Sequence, residues 1–118
     1  MHELSLAQEL MHIADRAAQA AGAKEVVRVR VGVGWLMQVE QQSLSFYLEV
    51  LRQEYPRFVR AEFELHPVPA VLRCRSCGAE TERTEWPLAC GACDGSDVQV
   101  ISGAELEVQD MEVLVDDV

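Results

Sequence analysis

The sequence predicts an α+β fold, with two helices packed on a three-stranded mixed sheet and a four-cysteine zinc-ribbon module inserted into it. Three observations carry this prediction. Apolar residues recur at helical spacing in two segments and alternate with polar ones in three others. All four cysteines fall between Cys74 and Cys93. A last alternating stretch lies beyond them, and a strand of that length needs a sheet to join, which only the N-terminal part supplies. At 118 residues the chain is one domain by length, with room for a small appended module.

The first helix is expected over Leu4 to Ala21. Leu4, Ala7, Leu10, Met11, Ala14, Ala17, Ala18 and Ala21 follow helical spacing, and Gly22 supplies a stop. Val27, Val29, Val31 and Val33 then alternate with Arg28, Arg30 and Gly32, the pattern of a half-exposed strand. Trp35 to Gln42 read as a loop. A second helix runs from about Ser43 to Tyr55, and Pro56 forbids its continuation. Period two returns from Ala61 to His66, with Phe63 and Leu65 inward. A helix between these two strands lets them pair in parallel. The run Pro67 to Ala70 reads as a stiff linker. After Gly103, Leu106, Val108, Met111, Val113 and Val115 mark one long strand whose alternation slips near Asp110, as a bulge would make it. These boundaries give a domain over 1–68, completed by the final strand at 104–116, and a ribbon module over 69–103.

Apolar residues make up 49% of the chain and charged ones 25%, the balance of a globular protein. No stretch approaches the roughly 20 apolar residues that span a bilayer. The N-terminus lacks a basic segment followed by an apolar run, so no secretory signal is expected and the predicted location is cytoplasmic. Ten basic against 20 acidic residues leave a net charge of −10. Nucleic acid and anionic membrane are therefore excluded as partners, and cations or basic protein surfaces suit the chain better.

The cysteines are spaced C-x2-C-x12-C-x2-C, as CRSC and CGAC. A two-residue gap lets both thiolates of a knuckle point at one centre, and two knuckles close a tetrahedron. Cys74, Cys77, Cys90 and Cys93 are thus expected to hold one Zn(II), although iron suits four sulfurs as well. Gly78 and Gly91 stand one residue past Cys77 and Cys90, where tight turns are expected. Four thiolates leave no open position for water or substrate, so the role is structural. Two disulfides fit poorly with a chain of predicted cytoplasmic location. The module is net acidic and has one aromatic, Trp86, which argues against a ribbon that reads RNA or DNA.

The chain opens MHEL. Initiator methionine is normally removed only before a small residue, so Met1 is expected to stay. Its amine, the backbone nitrogen of His2 and the His2 imidazole can chelate one ion through fused rings, a planar set that nickel(II) or copper(II) prefers. The α-amino group titrates at about 7.7 to 8.0, so a metal can displace its proton near neutrality. Glu3 adds a carboxylate, and also reads simply as a first-turn acid favoured by the helix dipole. His12 and His66 have no metal-spaced partners and read as surface residues. Trp35 and Trp86 read as packing or interface residues.

The combination of MHELSLAQEL, RVRVGVG, VEQQSLSFYLEVL, the two cysteine pairs and GAELEVQDMEV, in that order, resembles the hydrogenase nickel-insertion accessory protein family (HypA/HybF) from end to end. The resemblance implies a nickel metallochaperone, not an enzyme, that carries one Ni(II) as transient cargo beside one structural Zn(II). It implies His2 as the essential nickel ligand, helped by the Met1 amine and by Glu3. Glu40 matches a position that is acidic in relatives, and also reads as an ordinary first-turn acid of the second helix. The implied partners are a GTPase of the HypB type and the NiFe-hydrogenase large subunit; some relatives also serve urease, which brings in urease maturation factors. Monomer and homodimer are both open. Gly78 and Asp94 follow the cysteine pairs where some relatives carry histidine, so no histidine-dependent zinc behaviour carries over. The competing reading is a zinc-ribbon protein-interaction adaptor with no nickel site of its own. An enzyme lacks its parts here: no spare cysteine, no Gly-rich phosphate loop and no open metal shell.

Overall fold

The computed structural model describes residues 3–116, in two compact units. The first runs through Gly32, resumes at Val39–His66 and ends with the segment from Glu107. The second comprises Val33–Gln38 and Pro67–Leu106.

In the first unit, α1 spans Glu3–Ala20 and α2 spans Gln41–Leu51. Gly22, at φ +70°, ends the α1 turn in the left-handed region where a Cβ is penalised. Ala7, Leu10, Met11, Ala14 and Ala18 form the buried stripe of α1, and Leu44 and Leu48 that of α2. Alanine at positions 7, 14 and 18 leaves room for the two helices to pack closely. Ala17 and Ala21, expected inside, are exposed, because the stripe is narrower than the alanine run, and Leu4 in the first turn is exposed as well. α2 begins earlier than expected because Glu40 caps it, its carboxylate accepting from the Ser43 N–H at 3.1 Å. It also ends earlier. Arg52–Glu54 and Pro56–Phe58 form two short 3₁₀ turns, and the second drives Phe58 into the core. There Phe58 stacks on Phe63 at 6.4 Å and meets Tyr55 edge-on at 6.2 Å.

The sheet order is β2 (Glu62–Val68), β1 (Ala23–Gly34), β6 (Leu106–Val115). Its mixed character follows from the ion pairs. Partners of Arg28 and Arg30 on β2 rise with them, from Glu62 to Glu64, as in parallel strands. On β6 they fall, from Glu112 to Asp110, as in antiparallel ones. Val26, Val29, Val31 and Val33 are the buried valines of β1. Val27 was expected inside but is exposed, because the alternation slips by one residue between Val26 and Val29. The expected slip in β6 is present: half-buried Leu106 and Val108 are followed by exposed Gln109 and Asp110, then by half-buried Met111 and Val113.

Pro67 to Ala70 is not a free linker. β2 continues through Val68 and β3 starts at Ala70, so only Pro69 lies between them. β2 is an edge strand, where a proline without an N–H is tolerated. In the second unit, β3 (Ala70–Cys74) lies between β4 (Glu80–Arg83) and β5 (Val98–Ser102), antiparallel to both. A register shift sits between Val71 and Leu72 on the β5 side. Val33–Gln38 joins this unit through backbone bonds, the Gly34 N–H to the Glu105 carbonyl and the Leu36 N–H to the Gly103 carbonyl, both at 2.8 Å. Trp35–Met37, expected as loop, is a 3₁₀ turn. Its Trp35 ring packs on Trp86 with centroids 5.2 Å apart, one of the two roles, packing or interface, expected for the tryptophans.

Candidate metal centre

Each cysteine pair sits in a knuckle built by backbone hydrogen bonds. In the first, the Gly78 N–H donates to the Cys74 carbonyl at 3.0 Å and the Cys74 N–H to the Ala79 carbonyl at 2.9 Å. In the second, the Asp94 N–H donates to the Cys90 carbonyl at 2.9 Å and the Cys90 N–H to the Gly95 carbonyl at 2.8 Å. The two are built alike, and each closes with one left-handed residue, Gly78 at φ +79° and Asp94 at φ +61°. Aspartate is among the few side chains that adopt this region readily. The second left-handed position is therefore Asp94, not Gly91 as the spacing suggested. Gly91 is small for another reason: its N–H donates to Thr81 Oγ1 at 3.0 Å, and a Cβ there would lie 3.1 Å from the Thr81 side chain.

The knuckles bring all four sulfurs within 4.8 Å of one another. Cys74 Sγ and Cys93 Sγ are 3.6 Å apart, as are Cys77 Sγ and Cys90 Sγ. At zinc–sulfur distances of about 2.3 Å, tetrahedral ligands lie just under 4 Å apart, so the cluster fits one ion with little adjustment. All four cysteines are unbridged. Backbone N–H groups point at the sulfurs: Cys77 donates to Cys74 Sγ at 3.4 Å and Ala92 to Cys90 Sγ at 3.3 Å. Such donors favour thiolate over thiol.

The thiols accordingly split. The Cys77 N–H, helped by that of Ser76, holds Cys74 down at about 6. Cys90 is lowered too, by the Cys93 and Ala92 N–H groups. At Cys93 the Gly95 N–H favours the thiolate, but three neighbouring sulfurs outweigh it and push the thiol up to about 12. Cys77 is raised likewise, its Ala79 N–H outweighed by the Cys90 and Cys74 sulfurs and by burial. Four sulfurs this close cannot all ionise without a cation among them. The donor set therefore fits Zn(II), held by Cys74, Cys77, Cys90 and Cys93, which would supply charge neutralisation and a cross-link and no open coordination position.

Of the residues expected at a nickel site, Met1 and His2 lie outside the described residues. Glu3 and Glu40 come together although 37 positions apart: the Glu40 N–H donates to Glu3 Oε2 at 3.1 Å. Glu3 thus ties the first turn of α1 to the first turn of α2, while Glu40 spends one carboxylate oxygen as the α2 cap. His12 is exposed, and His66 is exposed against Glu64 at 3.2 Å; neither joins a ligand cluster among the described residues. Sequence reasoning missed the Thr81–Gly91 bond and the recruitment of Val33–Gln38 to the ribbon unit. A Gly-flanked aromatic, GWLM, was the only hint of the latter.

Residues 1–113 match the family model described as hydrogenase/urease nickel incorporation, metallochaperone, hypA. The hydrogenase maturation factor HypA of Acidithiobacillus ferrooxidans is 34% identical over 113 residues, covering 96% of this chain and 99% of its own. That of Moorella thermoacetica is 32% identical over 108 residues, covering 92% and 95%. The solution structure of the Ni metallochaperone HypA from Helicobacter pylori shares the fold, with a TM-score of 0.75 at 22% identity over 98% of this chain and 100% of that one.

Proposed function

The chain belongs to the hydrogenase/urease nickel-incorporation metallochaperone family, and from that premise we propose that it binds one Ni(II) at Met1, His2 and Glu3 and delivers it for NiFe-hydrogenase maturation. The observation that carries this is the end-to-end match to a non-enzymatic metal-delivery family, on a chain that begins Met-His-Glu. The Glu3–Glu40 bond supports it physically. A ligand set at the start of a helix needs that first turn anchored, and Glu3 anchors it to α2.

The nickel ligands are the Met1 amine, the His2 backbone and imidazole nitrogens, and Glu3; Glu40, whose N–H bonds to Glu3, is a further candidate and also serves as the α2 cap. Nitrogens at a chain terminus can be released one after another from the free end, which suits transfer better than storage. The preference order places copper above nickel at such nitrogens, so metal supply and partner contacts must select nickel. One structural Zn(II) at the four cysteines holds the ribbon. The cargo passes to the hydrogenase large subunit together with a HypB-type GTPase, since the chain carries no phosphate-binding loop of its own. A role toward urease maturation factors draws on the same family description. The working location is the cytoplasm; no helix among the described residues is long and apolar enough to cross a membrane.

Native mass spectrometry with nickel titration tests this, on protein with its natural N-terminus and any tag at the other end. One zinc is expected to stay bound throughout, and one nickel to bind only the unmodified chain. His2→Ala and an N-terminally extended form are expected to lose the nickel and keep the zinc. Equal nickel uptake by all three forms would sink the proposal and leave a zinc-ribbon adaptor.

A further inference from the structure

We propose that the outer edge of β6 is a docking strand for a basic, extended segment of another protein. The proposal goes beyond nickel carriage and rests on no metal ligand.

β6 is an edge strand ten residues long, and β1 takes only one of its two rows of backbone N–H and C=O groups. Exposed edges of this length are normally blunted by Lys, Pro or a bulge. β6 contains no Lys, Arg, Pro or Gly, and its alternation slips only once, at Gln109–Asp110, leaving regular strand on both sides. The opposite edge, β2, is shorter and carries Pro67. The open edge therefore belongs to β6.

The sheet's apolar face is also unfinished on that side. Val26, Val29 and Val31 of β1 are wholly buried, whereas Leu106, Val108, Met111 and Val113 of β6 are half-buried. Beyond them, on the same face, Val115 is 56% exposed. One more strand with apolar residues at alternate positions would cover this row.

Charge decides the occupant. On the polar face Arg28 and Arg30 stand among Glu62, Glu64, Asp110 and Glu112, two cations against four carboxylates. Glu107, on the same strand, has no cation within ion-pair reach among the described residues. A strand laid beside β6 thus meets excess negative charge, which Lys or Arg at its outward positions would complement. A second copy is the wrong occupant, because its β6 would bring three more carboxylates, Glu107, Asp110 and Glu112, and no cation to that edge.

The test uses the full-length, zinc-loaded chain and two synthetic octapeptides, one alternating Lys with Val and one alternating Glu with Val. Amide resonances and hydrogen exchange are followed by NMR. The Lys peptide is expected to shift residues 107–115 and slow exchange at alternate amides there, and the Glu peptide to do neither. Glu107→Lys is expected to weaken the Lys peptide about threefold, and salt to weaken it further. Equal responses to both peptides, shifts centred elsewhere, or no binding would overturn the proposal. So would protection of β6 without peptide in a concentration-dependent dimer, since a second copy would then fill the edge.

Discussion

Gly103 adopts φ +99°, and a Cβ there would lie 2.5 Å from the Ala70 Cα and 2.8 Å from the Pro69 carbonyl oxygen. Gly34 is as tightly enclosed, with its imagined Cβ 2.3 Å from the Gly103 carbonyl oxygen. Backbone cannot yield as a side-chain tip does, so Gly103→Ala or Gly34→Ala should cost about 2 to 4 kcal/mol by denaturant unfolding. Gly22→Ala should cost only about 1 kcal/mol, because its position has positive φ but nothing within 4 Å. Gly34 has an ordinary φ of −65°, so a loss at Gly103 no larger than at Gly22, with none at Gly34, would mean that φ alone matters. The four thiols make a second prediction at this scale. Near pH 7 Cys74 is mostly ionised, while Cys93 and Cys77 keep their protons. Zinc uptake must then release at least the two protons of Cys77 and Cys93, and affinity should rise at least about a hundredfold per pH unit between 6.5 and 8. Below about 6 Cys74 is protonated as well, and affinity should fall more steeply still. Competition against a chromophoric chelator gives the slope; a flat profile would mean the thiols are already ionised. The metal centre was legible in the sequence at this scale, because two-residue gaps leave few geometries. The Glu3–Glu40 bond was not, since no local pattern links residues 37 positions apart.

Among the elements, β1 sits at the centre of its sheet with Arg28 and Arg30 reaching strands on both sides. Arg28 contacts Glu64 and Glu112 at 2.8 and 2.9 Å, and Arg30 contacts Asp110 at 2.7 Å. Hydrogen bonding to Glu112 and to Asp110 respectively, with the charge of those carboxylates, raises both guanidinium pKa values above their already high range. These arginines hold carboxylates of β2 and β6 beside each other, so Arg28→Ala should lower the thermal midpoint by setting Glu62, Glu64 and Glu112 in mutual repulsion. Added salt should narrow the gap between variant and parent, because screening acts on exposed charges. A gap unchanged by salt would point to lost packing of the arginine stem instead. Period-two patterning found all three strands of this sheet. It misplaced Val27, since a one-residue slip within a run of valines leaves hydrophobicity unchanged. Helical spacing in turn extended α2 as far as Tyr55, where that spacing persists but the backbone tightens into a 3₁₀ turn. The proline run read as a linker because proline is rare in strands, yet an edge position removes the objection.

The two units differ in what holds them together. The first buries Leu10, Met11, Leu44, Leu48, Phe58 and three β1 valines, an ordinary core. In the second, the buried apolar residues are Val33, Ala70, Leu72, Cys74 and Cys90. So small a core cannot offset the conformational entropy of 46 residues at roughly 1 to 2 kcal/mol each for the backbone alone. Two of its five members are cysteines of the cluster, and their thiols cannot all ionise without a cation. Metal binding must therefore supply most of the folding free energy of this unit. Chelating the zinc should scatter the amide resonances of Leu72 and Val100 towards random-coil positions while those of Val29 and Leu48 persist. The chain crosses between units at 32/33, 38/39, 66/67 and 106/107, so Gly34 and Leu36 should lose exchange protection with the ribbon. β1 up to Gly32 should keep it. Cys93→Ser should behave as the chelated protein does even with zinc present, since three thiolates bind far more weakly than four. Collapse of both units together would show that the sheet of the first depends on the metal of the second.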